Sequence, residues 1–218
     1  MKKNWLRLTG IAGILGGLTL FAGDMLFYYD DSSTDIFKNM GYASDVRIMA
    51  SGFTALLAMW LYLIGLGQVY VAFKPTKRWI RNTVLVCFVG ILTSYGVVHA
   101  AYVAIATSAK IAIENNLNIE TTTLLASKTN DLLRMLGYPL FGLLSILFIH
   151  QVWTKKTLYP RWMVFFFPLL LFLFSGIFND ILYGKWWIIV NGGFLNLLLV
   201  VFYTASTIAL WHQFLKKE

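Results

Sequence analysis

The chain has 218 residues, of which 58% are hydrophobic and only 13% are charged, with a formal net charge of +8 at neutral pH. Soluble domains carry charges on about a quarter of their residues, so this composition excludes an ordinary soluble protein and indicates an integral membrane protein. The single cysteine, Cys87, excludes an internal disulfide and a cysteine-based metal cluster, and we expect it to be a small packing residue.

Six apolar runs in the chain are long enough to cross a membrane as helices. The connections between them are too short to fold separately, so residues 1–218 are predicted to form a single integral membrane domain. The predicted fold class is all-α, a polytopic bundle of about six transmembrane helices. The predicted spans cover residues 8–28, 48–72, 80–108, 130–152, 162–183 and 187–213.

The first apolar run follows a basic start, as the apolar part of a signal peptide does. The run is long, however, and residues 21–24 form a poor small-residue cleavage site. We therefore expect an uncleaved first transmembrane helix.

The charged segments alternate in sign along the chain. The N-terminus, the second and fourth connections and the C-terminal tail carry a net charge of +11, whereas the other three segments, with the span ends beside them, carry −3. By the positive-inside rule, we expect both termini to lie in the cytoplasm. The same charge pattern is compatible with a bacterial inner membrane. Because topology accounts for the basic charge, we expect membrane lipids as partners and no nucleic acid.

The segments on the outer side differ in kind from the basic ones. Residues 30–35 form an acidic loop that also contains serine and threonine. Residues 109–130 are predicted to form a short amphipathic helix on the outer surface, with residues 118–123 as its capped or irregular part.

Short motifs recur where successive spans reach the same side. Spans two, four and six each end with a glutamine closely followed by an aromatic residue, and spans one, three and five end with an ionisable residue followed by an aromatic three positions later. This echo predicts three repeated two-helix hairpins, which would bring Asp24, His99 and Asp180 to equivalent depths around a pseudo-threefold axis. The alternative is that aromatic and glutamine side chains collect at the interface in any membrane protein.

Three polar side chains share one face of the third span. Tyr95, His99 and Tyr102 are spaced i, i+4 and i+7, and this face lies well inside the bilayer, where an ionisable ring needs a partner. Asp24 is a candidate partner because it continues a stripe of glycines on the first span, which is expected to face the bundle. Alternatively, Asp24 caps a helix or is hydrated at the membrane edge.

Two roles are open for His99. It is either a structural residue satisfied by a tyrosine or a carboxylate, or a general acid/base or proton relay oriented by Asp24 or Asp180. His150 and His212 fall at the cytoplasmic ends of their spans, on the side away from His99, so we do not expect a three-histidine metal site. We therefore predict no metal site and no cofactor.

Asp131, Arg134 and Tyr138 share a face near the outer start of the fourth span. Arg134 either pairs with Asp131 at the surface, where such a pair has little effect, or turns inward, where its guanidinium could hold a carboxylate or phosphate. Residues 137–139, Gly-Tyr-Pro, are expected to kink this helix and open space beside it.

Amide side chains mark the outer parts of the last two spans. Asn179 and Asp180 lie in the outer half of the fifth span, and Asn191 lies near the outer start of the sixth. Such amides either bond to neighbouring helices or line a site. Asn196 and Tyr203 extend the polar face toward the middle of the membrane, which favours a transport path.

Three functions follow from these patterns. The first is an outward-facing pocket that binds or transports a small polar or amphiphilic ligand, with ligand-binding residues Tyr95, Tyr102, Arg134, Tyr138, Asn179 and Asn191. The second is a membrane-embedded hydrolase or transferase acting on a lipid, with catalytic residues His99, Asp24 and Asp180. The motifs of serine hydrolases, zinc proteases and phosphate-binding loops are missing from the sequence, which weakens this second function. The third is a non-catalytic accessory or assembly protein, in which the polar residues only hold the bundle together.

Overall fold

The computed structural model describes residues 3–30 and 33–215, and every regular element in this part of the chain is a helix. Five helical segments are long and apolar enough to cross a membrane, which confirms the predicted helical membrane bundle. In chain order the helices are α1 (Lys3–Tyr28), α2 (Ile36–Tyr42), α3 (Asp45–Ala72), α4 (Arg78–Glu114), α5 (Ile119–Met135), α6 (Tyr138–Trp153), the 3₁₀ helix η1 (Arg161–Phe166), α7 (Pro168–Phe172), α8 (Ser175–Ile181), α9 (Gly184–Gly192) and α10 (Phe194–Leu215). The five segments are α1, α3, α4, α5 together with α6, and α10.

The predicted fifth span, residues 162–183, is broken into η1, α7 and α8. Pro168 begins α7, and the residue before it, Phe167, is extended with a ψ of 128°. A proline lacks the backbone N–H that a continuing helix needs and disfavours helical geometry in the preceding residue, so the apolar run does not form one helix. The predicted sixth span, residues 187–213, is likewise divided into α9 and α10 at Gly193.

The third span is longer than predicted, because α4 continues to Glu114. The amphipathic helix predicted over residues 109–130 instead begins at Ile119, as α5. Two local features place the break: Asn116 has a left-handed φ of 54°, and Asn118 caps α5 by accepting a hydrogen bond from the Thr121 N–H at 2.9 Å.

The predicted kink at residues 137–139 is a break between two helices. Helix α5 ends at Met135, and α6 begins at Tyr138 with Pro139 in its first turn. A proline is tolerated there because backbone N–H groups of the first turn have no partner within the helix. This break separates Arg134, on α5, from Tyr138, on α6.

Helix α1 packs against both α3 and α10, and its glycines set how closely the helices approach. A Cβ atom at Gly13 would lie 2.3 Å from a ring carbon of Tyr203, and one at Gly17 would lie 2.5 Å from the Val200 side chain. Only residues without a Cβ fit at these two positions, so the glycine stripe faces the bundle as the sequence predicted.

Arg47 joins the start of α3 to the end of α1. Its guanidinium donates hydrogen bonds to the backbone carbonyls of Met25, Leu26 and Tyr29, at 3.4, 3.1 and 2.9 Å. The last carbonyls of a helix have no partner within the helix, so a cation placed there both satisfies them and complements the helix dipole.

The connections at residues 73–77 and 154–160 meet at one end of the bundle, where the Leu158 N–H donates to the carbonyl of Ala72 at 2.8 Å. We call this the basic end, because both connections carry lysines. Asp24, His99 and the start of α10 lie toward the opposite end. That the basic end faces the cytoplasm stays a prediction.

Candidate functional site

Asp24 on α1 and His99 on α4 form a buried ion pair. The His99 Nδ1 atom lies 3.1 Å from Asp24 Oδ1, and both side chains are almost completely buried. Gly23 permits this approach, since a Cβ atom there would lie only 3.0 Å from His99 Nε2. Each group is the other's counter-charge, which is what an ionisable group inside a membrane bundle needs.

Ser51 on α3 fixes the other side of the His99 ring. His99 Nε2 lies 3.2 Å from both the hydroxyl and the carbonyl oxygen of Ser51, while the Ser51 hydroxyl donates to the carbonyl of Gly23 at 2.7 Å. Because that hydroxyl proton is already used, both Ser51 atoms are acceptors and His99 Nε2 must carry a hydrogen. The 3.1 Å contact between Nδ1 and Asp24 Oδ1 needs one proton between the two atoms, and whichever atom holds it, the pair as a whole is neutral.

The second carboxylate oxygen of Asp24 is also bonded. Asn196 Nδ2 donates to Asp24 Oδ2 at 2.6 Å, and the Tyr62 hydroxyl donates to Asn196 Oδ1 at 3.3 Å. The Tyr203 hydroxyl donates in turn to the carbonyl of Tyr62, and the two tyrosine rings are stacked. A hydrogen-bonded series therefore runs from Asp24 toward the middle of the bundle.

Arg134 turns inward from α5 toward α4. Its Nη2 donates to the Tyr102 hydroxyl at 2.6 Å and to Asn130 Oδ1 at 3.3 Å. Asn130 is held in place because its Nδ2 donates to the carbonyl of Val98 at 2.7 Å. Of the two orientations that the sequence left open, the structure has the inward one, and the side chain of Asp131 is exposed.

These groups face a partly open cavity of about 640 Å³, located away from the basic end. Its volume lies within the range of sites that hold small organic molecules. The polar side chains of the wall are Asp24, Tyr28, Tyr95, His99, Tyr102, Arg134, Tyr138, Asn191 and Asn196. The apolar side chains are Leu20, Ile36, Val98, Phe141, Leu169, Phe172, Leu173, Phe194 and Leu195.

The structure brings most of the predicted site residues to this one cavity. Its wall contains Asp24, His99, Arg134, Asn191 and the tyrosines Tyr95, Tyr102 and Tyr138. Asp180 does not join them: its side chain is exposed on α8, and Asp24 is the carboxylate that pairs with His99. The side chain of Asn179 lies outside the described residues.

The expected equivalence of Asp24, His99 and Asp180 around a threefold axis is not found. The first two are buried and in contact, whereas Asp180 is exposed. The third hairpin lacks a continuous first helix comparable with α1 and α4, because the chain breaks at Pro168 and again at residues 173–174.

Three residues of this region, Tyr28, Ser51 and Asn130, were not predicted from the sequence. Tyr28 and Asn130 were recognisable, because each is four positions from a predicted site residue, Asp24 or Arg134, and therefore lies on the same helix face. Ser51 gave no such signal, since it lies between Ala50 and Gly52 in a run that is typical of close helix packing.

Ser51, His99 and Asp24 are arranged in the order of a serine hydrolase triad, but their hydrogen bonds do not suit that chemistry. A nucleophilic serine donates its proton to the histidine, whereas Ser51 donates to the Gly23 carbonyl. Ser51 is also completely buried and is not part of the cavity wall. In the described part of the chain, no three His, Cys, Asp or Glu side chains come together as they would to hold a metal ion. The network instead fixes Asp24 and His99 at the wall.

The fold and the site define a helical membrane protein that encloses an amphiphilic cavity with a buried Asp–His pair in its wall. The chain belongs to a family of unknown function, DUF6796, whose model matches residues 1–213. No curated protein and no solved structure matches the chain.

Proposed function

We propose that the cavity is the functional site and that it binds a small amphiphilic ligand. The observation that carries this proposal is that one wall carries both polar and apolar side chains. Polar side chains from α1, α4 and α5 face the same space as apolar side chains from α7 and α10. A molecule with one polar and one apolar part matches both surfaces, whereas a purely polar or purely apolar molecule leaves one surface unmatched.

The packing beneath the cavity favours binding over passage through the membrane. Tyr62 and Tyr203 stack between the cavity and the basic end, and both are almost completely buried. The glycines facing them, Gly13 and Gly65, leave no space for an added Cβ atom. A ligand would therefore enter and leave from the same side.

The charge distribution supports an outward orientation of the cavity. If the basic end lies in the cytoplasm, as the positive-inside rule requires, the cavity opens toward the outer side of the cell membrane. A bacterial inner membrane is compatible with this arrangement, and the ligand would then come from the outer side or from the outer leaflet.

Photolabelling tests whether the cavity binds amphiphiles. The protein, in phosphatidylcholine nanodiscs, is irradiated with three decyl diazirine probes that carry a carboxylate, a hydroxyl or an amine head, and labelled residues are identified by mass spectrometry. We expect at least one probe to label Phe172 or Leu195 in the wall. Gly142→Phe should reduce this labelling about tenfold, because Gly142 lines the cavity and has open space around its Cβ position.

Gly176→Phe is the matched control, since Gly176 also has open space around it and is not part of the cavity wall. It should leave labelling unchanged. Labels confined to exposed membrane-facing residues such as Leu125 and Ile146, with no effect of Gly142→Phe, would contradict the proposal.

A further inference from the structure

The polar groups of the cavity differ in how much hydrogen-bonding capacity they retain. Asp24 uses one carboxylate oxygen for His99 and the other for Asn196. His99 has acceptors at both ring nitrogens. These groups satisfy one another and are electrically neutral as a pair, so they offer little to a charged ligand.

Arg134 is in a different situation. A guanidinium has five N–H donors, and the bonds in which Arg134 takes part go from Nη2 to two neutral acceptors, Tyr102 and Asn130. The ion pairs among the described residues are Asp24 with His99 and Asp45 with Lys110, so no described carboxylate lies within ion-pair distance of Arg134, and the exposed Asp131 acts on it only from further away. Its Nε atom is buried without a hydrogen-bond partner.

Asn191, on α9, carries a second unpartnered donor among the residues of the cavity wall. Its Nδ2 atom is buried, and it makes no hydrogen bond with any described residue. Leaving such a donor unsatisfied costs free energy, and a ligand oxygen removes that cost once the amide rotates, since Nδ2 itself has no surface open to the cavity. Two donors in one cavity, one of them cationic, are suited to an oxyanion and would repel an ammonium group.

We propose that the ligand is an amphiphilic anion, with a carboxylate or phosphate head held by Arg134 and Asn191. Its apolar part would lie along Leu169, Phe172 and Phe194, which form part of the apolar surface. Because the Asp24–His99 pair is neutral, the anionic head brings the charge of the described cavity wall to zero. This inference rests on the proposed function, since it names the class of ligand for the same cavity.

The same three photoreactive probes test the charge of the head group, because they differ in nothing else. In the wild-type protein the carboxylate probe should label Phe172 or Leu195 about tenfold more than the amine probe at equal concentration. Arg134→Gln should reduce carboxylate labelling by about tenfold and leave labelling by the alcohol unchanged. Arg134→Lys keeps the charge but loses the planar guanidinium, so its carboxylate labelling should lie between that of the wild type and that of Arg134→Gln.

Lys128→Gln is the matched control, because it removes an exposed cation from the same helix at a position outside the cavity wall. It should change none of the three labelling yields. If the amine or the alcohol labels the wall as strongly as the carboxylate, and Arg134→Gln has no effect, the anionic class is wrong while ligand binding stands. If none of the probes labels the wall, the proposed function fails as well.

Native mass spectrometry of the protein purified from its own membrane separates two sources of the anion. A retained single-chain anionic lipid supports the proposal with a ligand from the bilayer. Protein that emerges empty but binds added decanoate supports it with a ligand from solution. A retained amphiphile that is neutral or cationic would overturn the inference.

Discussion

Two polar clusters are buried in the same bundle, and they are built in opposite ways. At the basic end, Gln68 forms the centre of a closed cluster with Tyr159, Ser206 and Thr207. At the other end, Asp24, His99, Asn196 and Arg134 border the cavity. Both clusters join several helices.

In the Gln68 cluster the donors and acceptors are matched within the protein. Gln68 Nε2 donates to the carbonyl of Leu6 and to Thr207, and its Oε1 accepts from Ser206 at 2.6 Å. Since Ser206 uses its own proton for Gln68, the Tyr159 hydroxyl donates to Ser206, at 2.7 Å. Burial raises the pKa of Tyr159, which keeps this donor protonated.

A structural polar cluster and a binding surface inside a membrane protein differ in whether their hydrogen bonds are already made. The Gln68 cluster is satisfied within the protein, so its hydrogen bonds serve to hold helices together. The cavity cluster contains a satisfied part, Asp24 with His99, and an unsatisfied part, Arg134 with Asn191. We therefore expect stability to depend on the first part and ligand binding on the second.

The largest effect is expected from breaking the Asp24–His99 pair. Asp24→Ala leaves His99 and Asn196 without their shared acceptor inside the bundle, which should lower the free energy of unfolding by about 3 kcal/mol. Unfolding by SDS titration in mixed micelles measures this change. The double variant with His99→Ala should cost less than the sum of the two single changes, because the two residues interact directly.

Asp180→Ala is the control for the same charge removed from an exposed position. It should leave the free energy of unfolding unchanged. If Asp24→Ala and Asp180→Ala changed the free energy of unfolding equally, the buried Asp24–His99 pair would have no structural role.

A smaller effect is expected from opening the Gln68 cluster. Gln68→Leu removes the partners of Ser206, Thr207 and the Leu6 carbonyl, and should lower the free energy of unfolding by about 1–2 kcal/mol while leaving probe labelling unchanged. Two threonines of α10 provide a matched pair: Thr207→Val should destabilise more than Thr204→Val, because Thr204 is exposed and bonds only to its own helix. Loss of labelling in Gln68→Leu would show that the two clusters are not independent.

Much of this comparison was predictable from the sequence because helical spacing fixes which side chains share a face. The i, i+4, i+7 spacing of Tyr95, His99 and Tyr102 and the glycine stripe leading to Asp24 both placed residues correctly at the cavity. The helical membrane class followed from apolar length alone.

What failed was the prediction that depended on continuity of the fifth span. Hydropathy over residues 162–183 does not register that Pro168 interrupts the helix or that the chain turns again at residues 173–174, and Asp180 lies beyond both breaks. Ser51 was missed for another reason. Its hydroxyl donates to a backbone carbonyl of another helix, and such a contact leaves no pattern in the chain.

The smallest effect on stability is expected from Arg134→Gln, although the same variant should have the largest effect on binding of the carboxylate probe. The guanidinium donates to neutral partners, so the hydrogen bonds that are lost are offset by no longer burying a cation, and the free energy of unfolding should change by less than about 1 kcal/mol. The SDS titration used for Asp24→Ala measures it. A destabilisation as large as that of Gln68→Leu would place Arg134 among the structural residues. A stable variant that has lost the carboxylate probe instead shows that Arg134 is kept in the membrane interior for the ligand, because an uncompensated cation contributes little to folding there.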